Sequence, residues 1–208
     1  MSSDLLPIFP LPNVVLFPNV FLPLLIFEPR YREMTADALA SDRLIGMALL
    51  KPGWEPDYEG RPKVYPIGCS GVITHAEALA DGRYNIVLRG VERFRIIEED
   101  HSRSYRRAIV EPLADGMLTS DDRTIIRNQR AKLEALIEAR TDADRKIPGS
   151  MGDEDLINTL AQYLDLEALE KQALLELRTL RARAESLVEL LEMKALSARH
   201  PHVTNVAH

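Results

Sequence analysis

The chain opens on an apolar block with no charge between Asp4 and Glu28, cut by Pro7, Pro10, Pro12, Pro18 and Pro23. Each proline removes a backbone donor and blocks a helical hydrogen bond, which excludes a membrane-spanning helix and predicts short extended pieces. Those pieces are Leu5–Phe9, Val14–Phe17 and Val20–Phe27, rich in Val, Ile and Phe and expected to be buried strands. In Leu16-Phe17-Pro18-Asn19 the proline presets a tight turn whose next residue takes positive φ, and Asn tolerates that. Glu28-Pro29-Arg30-Tyr31 puts a proline at the first position of a helix that runs through Met34, Ala38 and Leu39.

Further along, Leu44–Leu50 is a short apolar run that reads as a strand, and Lys51–Pro62 (KPGWEPDYEGRP) reads as a surface loop. The loop holds the single tryptophan, Trp54, and also Tyr58. Two readings of these aromatics stay open: they fold back over the sheet, or they contact a partner. From Val64 to Leu113 strands alternate with turns. Asp81-Gly82 suits a two-residue hairpin turn, a second turn is expected around Gly90, and Tyr105–Leu113 is the last strand. Six or more strands and one helix in the first half predict a closed or nearly closed barrel without free edges.

After Thr119 the β-branched residues thin out and helical patterns take over. Ile126, Leu133, Ile137 and Arg140 fall on one face of a helix starting near Thr119 or Ser120, with Asp121 and Asp122 at its positive end. A polar linker over Thr141–Gly152 separates it from helices at Asp155–Tyr163, at Asp165–Leu175 with Asp165 as N-cap, and at Leu180–Ala198. Leu180, Ala184, Leu187, Val188 and Leu191 form a packing stripe on the last of these.

Several of these segments resemble the N-terminal, substrate-binding domain of the ATP-dependent Lon proteases in a stand-alone form. They are Leu6-Pro7-Ile8-Phe9-Pro10-Leu11, Val15-Leu16-Phe17-Pro18, Leu22-Pro23-Leu24, Ile26 to Tyr31, Ile67-Gly68-Cys69, Asp81-Gly82-Arg83, Gly90 to Phe94, and Leu160 to Asp165 on to Gln172. Asn19 stands where the family usually has Gly. The resemblance implies an α+β fold, a PUA-like β pseudobarrel followed by an α-helical bundle, with domains at 1–117 and 118–198 and a flexible tail at 199–208. It also implies a protein-binding role.

Composition narrows the chemistry. Both halves, 1–117 and 118–198 with the tail, carry a net charge of −3, so neither is a basic arm for nucleic acid. Arg103, Arg106 and Arg107 are the one compact basic group, which is all that an RNA-binding alternative has to build on. The single Cys69 forbids an internal disulfide, and no Lys or Arg precedes Arg30 to start a signal peptide, so a cytoplasmic protein is expected. None of the ten glycines is followed by Lys, which leaves no phosphate loop for ATP.

Gly68-Cys69-Ser70-Gly71 with His75 looks like a nucleophile and base, but six strand residues span about 20 Å where about 3 Å is needed. Cys69 is therefore expected to be a buried thiol. His200-Pro201-His202 lies in the tail without further ligands, and no metal or other cofactor is expected. With no room for the Lon ATPase and Ser-Lys peptidase modules, the expected protein is not an enzyme. It binds protein or unfolded polypeptide, alongside a protease, and no membrane. Trp54 and Tyr58 are the candidate substrate-binding residues, because Phe27 and Phe94 are expected to be occupied in the core.

Overall fold

In the first 114 residues the chain lays down six strands around one helix: β1 (Leu6–Leu11), β2 (Phe21–Ile26), α1 (Pro29–Leu39), β3 (Leu44–Leu49), β4 (Ile67–Ala78), β5 (Tyr84–Asp100) and β6 (Arg106–Leu113). Four helices follow, α2 (Ser120–Glu138), α3 (Asp153–Tyr163), α4 (Ala168–Glu176) and α5 (Leu180–Arg199). The structure is a computed structural model that describes residues 5–138 and 150–199. The expected tail from residue 200, and residues 141–149 of the expected linker, lie outside the described residues. By packing, the chain divides into two compact units. One gathers the residues up to Ala114 together with Asn158–Glu176, and the other gathers Asp115–Ile157 with the chain from Leu177 onward.

The strands of the first unit form a mixed sheet in the order β2-β5-β4-β3-β1-β6, in which only β1 and β3 run parallel. β6 also pairs with the later part of β5, from Arg93↔Leu113 to Asp100↔Arg107, so the sheet curls back on itself. It is nearly closed and not a fully closed barrel, since β6 returns to β5 while β2 pairs only with β5 and keeps one free edge. Pro23 explains why that edge tolerates being open. A proline within a sheet belongs where its missing donor faces solvent. Ile8, Phe17, Met34, Ile45, Met47, Ile73, Ile86, Leu88 and Phe94 are fully buried in this unit, and Tyr31 stacks on Phe9 at 4.5 Å.

Four local expectations change on the structure. Val14–Phe17 is no strand but a largely buried connector, and at its end a side chain takes the place of a ladder: the Phe17 amide donates to Gln162 Oε1 at 3.1 Å. No turn forms at Gly90, which sits inside β5. There the Phe17 carbonyl would lie 2.0 Å from a Cβ, so only glycine lets the two segments meet. The β4–β5 turn holds three residues, closed by Leu79 N to Arg83 O at 2.8 Å, and of its residues only Gly82 takes positive φ, at 80°. Asp165 is not the cap of α4, since the Glu167 amide is bonded by Glu170 Oε2 at 2.7 Å instead. Asn19 does adopt the left-handed conformation, with φ 64°, and the Val20 amide closes that turn onto the Phe17 carbonyl at 3.3 Å.

Within the first unit, α3 and α4 serve the sheet with polar side chains. Asn158 Nδ2 donates to the Pro18 carbonyl at 3.2 Å, and the Tyr163 hydroxyl donates to the Phe21 carbonyl. Gln172 Nε2 reaches the Ile67 carbonyl at 2.9 Å, while Arg93 Nη1 reaches the Leu175 carbonyl at 3.0 Å, satisfying the end of α4. In the second unit, Thr119 and Asp122 cap α2 reciprocally, each side chain bonding the other's amide at 3.1 and 3.0 Å. The stripe Leu180, Ala184, Leu187, Val188 and Leu191 is buried there, as are Ile126 and Leu133 of α2.

Gln162→Met keeps the side-chain length but strands the buried Phe17 donor, so it should destabilise the protein by about 1–3 kcal/mol. Urea unfolding of the variant checks this, and an unchanged midpoint would show that the Phe17 bond is dispensable.

Candidate functional site

Strand alternation decides what β2 offers. Leu22, Leu24 and Ile26 turn inward, which leaves Phe21, Pro23 and Leu25 on the outer face. Among the described residues no second layer covers them. Phe21 is 52% exposed, Leu25 45%, and Phe27, just past the strand, 60%. Phe27 is therefore not a core residue, contrary to expectation, whereas Phe94 is. The next column of this face comes from β5, where Arg89 lies opposite Phe21, Val87 opposite Pro23 and Asn85 opposite Leu25. A shallow cleft of about 280 Å³ runs between Pro23, Leu25, His75, Asn85 and Val87.

The backbone of β2 has a defined outer edge. Gly90 N–H donates to the Val20 carbonyl at 2.9 Å, which makes Phe21 and Arg89 a pair that exchanges no ladder bonds. By alternation Pro23 and Leu25 are of the same kind, so the amide groups of Phe21, Pro23 and Leu25 point to the free edge.

Trp54 and Tyr58 flank a short 3-10 turn at Glu55–Asp57 and are both half-buried. Their rings meet edge to face at 5.3 Å. The loop is held down at the start of α1. The Tyr58 hydroxyl donates to Glu28 Oε1 at 2.6 Å, and Arg30 donates to the carbonyls of Tyr58 at 3.1 Å and Glu59 at 3.3 Å. Arg30 also pairs with Glu28 at 3.0 Å and lies over the rings of Tyr31 and Tyr58. A cleft of about 450 Å³ opens between Phe27, Glu28, Pro29, Arg30, Tyr58 and Glu59. Tyr58 thus shares a cleft with Phe27, an apolar anchor that sequence reasoning had placed in the core.

The remaining candidates do not assemble. Cys69 is wholly buried in β4 opposite Met47, while His75 is exposed. Arg106 pairs with Glu99 at 2.8 Å, Arg107 pairs with Asp100 at 2.6 Å, and Arg103 lies 3.7 Å from Glu33. The basic group is therefore already neutralised by carboxylates. Among the described residues no cluster of His, Cys, Asp and Glu could hold a metal, and no helix is long and apolar enough to cross a membrane.

The model of the ATP-dependent protease La (LON) substrate-binding domain matches residues 5–193. The chain belongs to this family. Lon protease 2 of Myxococcus xanthus is 28% identical over 199 residues, covering 92% of this chain but 24% of its own. The Lon-family chain thus spans about a quarter of the length of that relative. Two solved Lon N-terminal domains share the fold. That of the Mycobacterium avium complex Lon protease has a TM-score of 0.67 at 16% identity, over 91% of this chain and 98% of its own. The Xanthomonas campestris protein has a TM-score of 0.60 at 23% identity, over 89% and 98%.

Two tyrosines beside this Lon-family loop should titrate late. Burial pushes the Tyr31 hydroxyl up to about 12, and burial followed by the hydrogen bond that the Tyr105 hydroxyl donates to the Asp37 carboxylate pushes Tyr105 to about 12. Both folded values lie above the unfolded value of about 10, so the stability they contribute is present below pH 10 and is lost as pH rises toward 12. Ultraviolet titration should show Tyr31→Phe and Tyr105→Phe each deleting a late-ionising group. Six tyrosines all ionising near pH 10 in the folded protein would contradict the assignment.

Proposed function

We propose that the chain is a non-catalytic substrate-recognition module that binds unfolded or partner polypeptide for a protease, in cytoplasmic protein quality control. The observation that supports it most is the uncovered outer face of β2. A water-soluble fold has no packing reason to leave Phe21, Leu25 and Phe27 in solvent together, and such patches mark interaction surfaces. Membership of a substrate-binding family gives that face a purpose, and no glycine of this sequence is followed by the lysine of an ATP-binding loop. Tyr58 extends the surface in this reading, since it lines one cleft with Phe27, and Trp54 joins it through its ring contact with Tyr58. The paired state of Arg103, Arg106 and Arg107 removes the footing for RNA.

Binding of a fluorescently labelled unfolded client, such as casein, tests this. Truncating a real anchor costs on the order of 1–3 kcal/mol of binding. Leu25→Ser and Phe27→Ser should each weaken binding by that much and leave the melting temperature near wild type. Trp54→Ala and Tyr58→Ala should weaken it too. A Trp54→Ala variant that melts early but binds normally would make Trp54 a cover for the sheet, and unchanged affinity in all four variants would refute the reading.

A further inference from the structure

The face just described has two features that bear on how a client sits there. The first is its edge. Of the groups that Phe21, Pro23 and Leu25 turn outward, Pro23 supplies no donor, and the Phe21 carbonyl already accepts the Tyr163 hydroxyl. The middle rung of any added strand is therefore broken, on an edge strand only six residues long. Proline and short length are how sheets discourage edge pairing.

The second feature is charge. Arg89 stands across from Phe21 on the same face, with Cβ atoms about 5 Å apart for such a pair. Arg89 is exposed and makes no ion pair among the described residues, whereas Arg30, Arg83, Arg106 and Arg107 each hold a carboxylate. Glu77 lies at the other end of this face, across from Asn85 and Leu25, where its Oε2 accepts from Asn85 Nδ2 at 3.1 Å. An apolar column with one uncommitted cation at its Phe21 end is complementary to an apolar segment that carries a carboxylate beside its large side chains.

We propose that the occupant of this face is an apolar polypeptide segment flanked by an acidic residue, held by its side chains against Phe21, Leu25 and Phe27 with its carboxylate at Arg89, and not added to β2 as a further strand. This rests on the reading of the face as the client site. It specifies the client further: segments are selected by side-chain composition, and a backbone that cannot pair, as in proline-rich stretches, is accepted.

Three labelled peptides separate the possibilities by fluorescence anisotropy. The parent alternates Leu and Phe and ends in Asp, the second is the same peptide N-methylated at alternate amides, and the third replaces Asp by Lys. The N-methylated peptide should bind within about threefold of the parent, whereas strand addition through several backbone bonds would lose on the order of a hundredfold. At low salt the Lys peptide should bind about two- to fivefold more weakly, a gap that closes at high salt and in Arg89→Gln. Collapse of binding on N-methylation overturns the side-chain mode. Equal affinity of the Asp and Lys peptides, or a preference that survives Arg89→Gln, overturns the role of Arg89. Failure of every peptide to bind, with Phe27→Ser indistinguishable from wild type, instead defeats the underlying reading of the face.

Discussion

Phe17 and Pro18 are buried outside any strand ladder, and their backbone polar groups must be met by something. Asn158, Gln162 and Tyr163, on neighbouring turns of α3, bond the Pro18 carbonyl, the Phe17 amide and the Phe21 carbonyl. Leaving one such group unmet would cost about 1–3 kcal/mol, a large share of the stability of a small domain. The turn at Pro18-Asn19 depends on these bonds, and on Gly90, whose lack of a side chain lets β5 meet that turn. β2 leaves from this turn, so the same bonds fix where its outer face points.

That fixed position is what makes an exposed apolar strand tolerable. A mobile apolar edge would pair with other chains. Here the strand is anchored at one end by the turn and at the other by α1, which starts at Pro29, and Pro23 interrupts its free edge. Arg89 stands beside Phe21 and adds a positive charge to this face. On the proposed reading, contact with a client and the blocking of edge pairing fall to different atoms of one strand: side chains for the first, backbone for the second.

Much of this was legible in the residues. Local signals were reliable: Pro29 opens α1, Asn19 takes positive φ, α2 starts at Ser120 with Asp121 and Asp122 in its first turn, and the stripe on α5 is buried. What failed depended on distant partners. Val14–Phe17 reads as a strand until Gln162, 145 residues away, is seen to take the place of a ladder. Gly90 reads as a turn until the Phe17 carbonyl is placed against it. Phe-Leu-Pro-Leu-Leu-Ile-Phe is apolar at every position, so the period of two that tells inside from outside is absent, and Phe27 was assigned to the core. Trp54 and Tyr58 were visible as loop aromatics, but the cleft that Phe27 shares with Tyr58 was not.

The most direct test is to assign the backbone amides by nuclear magnetic resonance and follow them as unfolded client is added. The account predicts shifts concentrated at Phe21–Phe27, at Asn85–Arg89 and in the loop around Trp54 and Tyr58, with α5 unchanged. Shifts confined to the exposed Met193 and Leu196 on α5, with β2 silent, would contradict it.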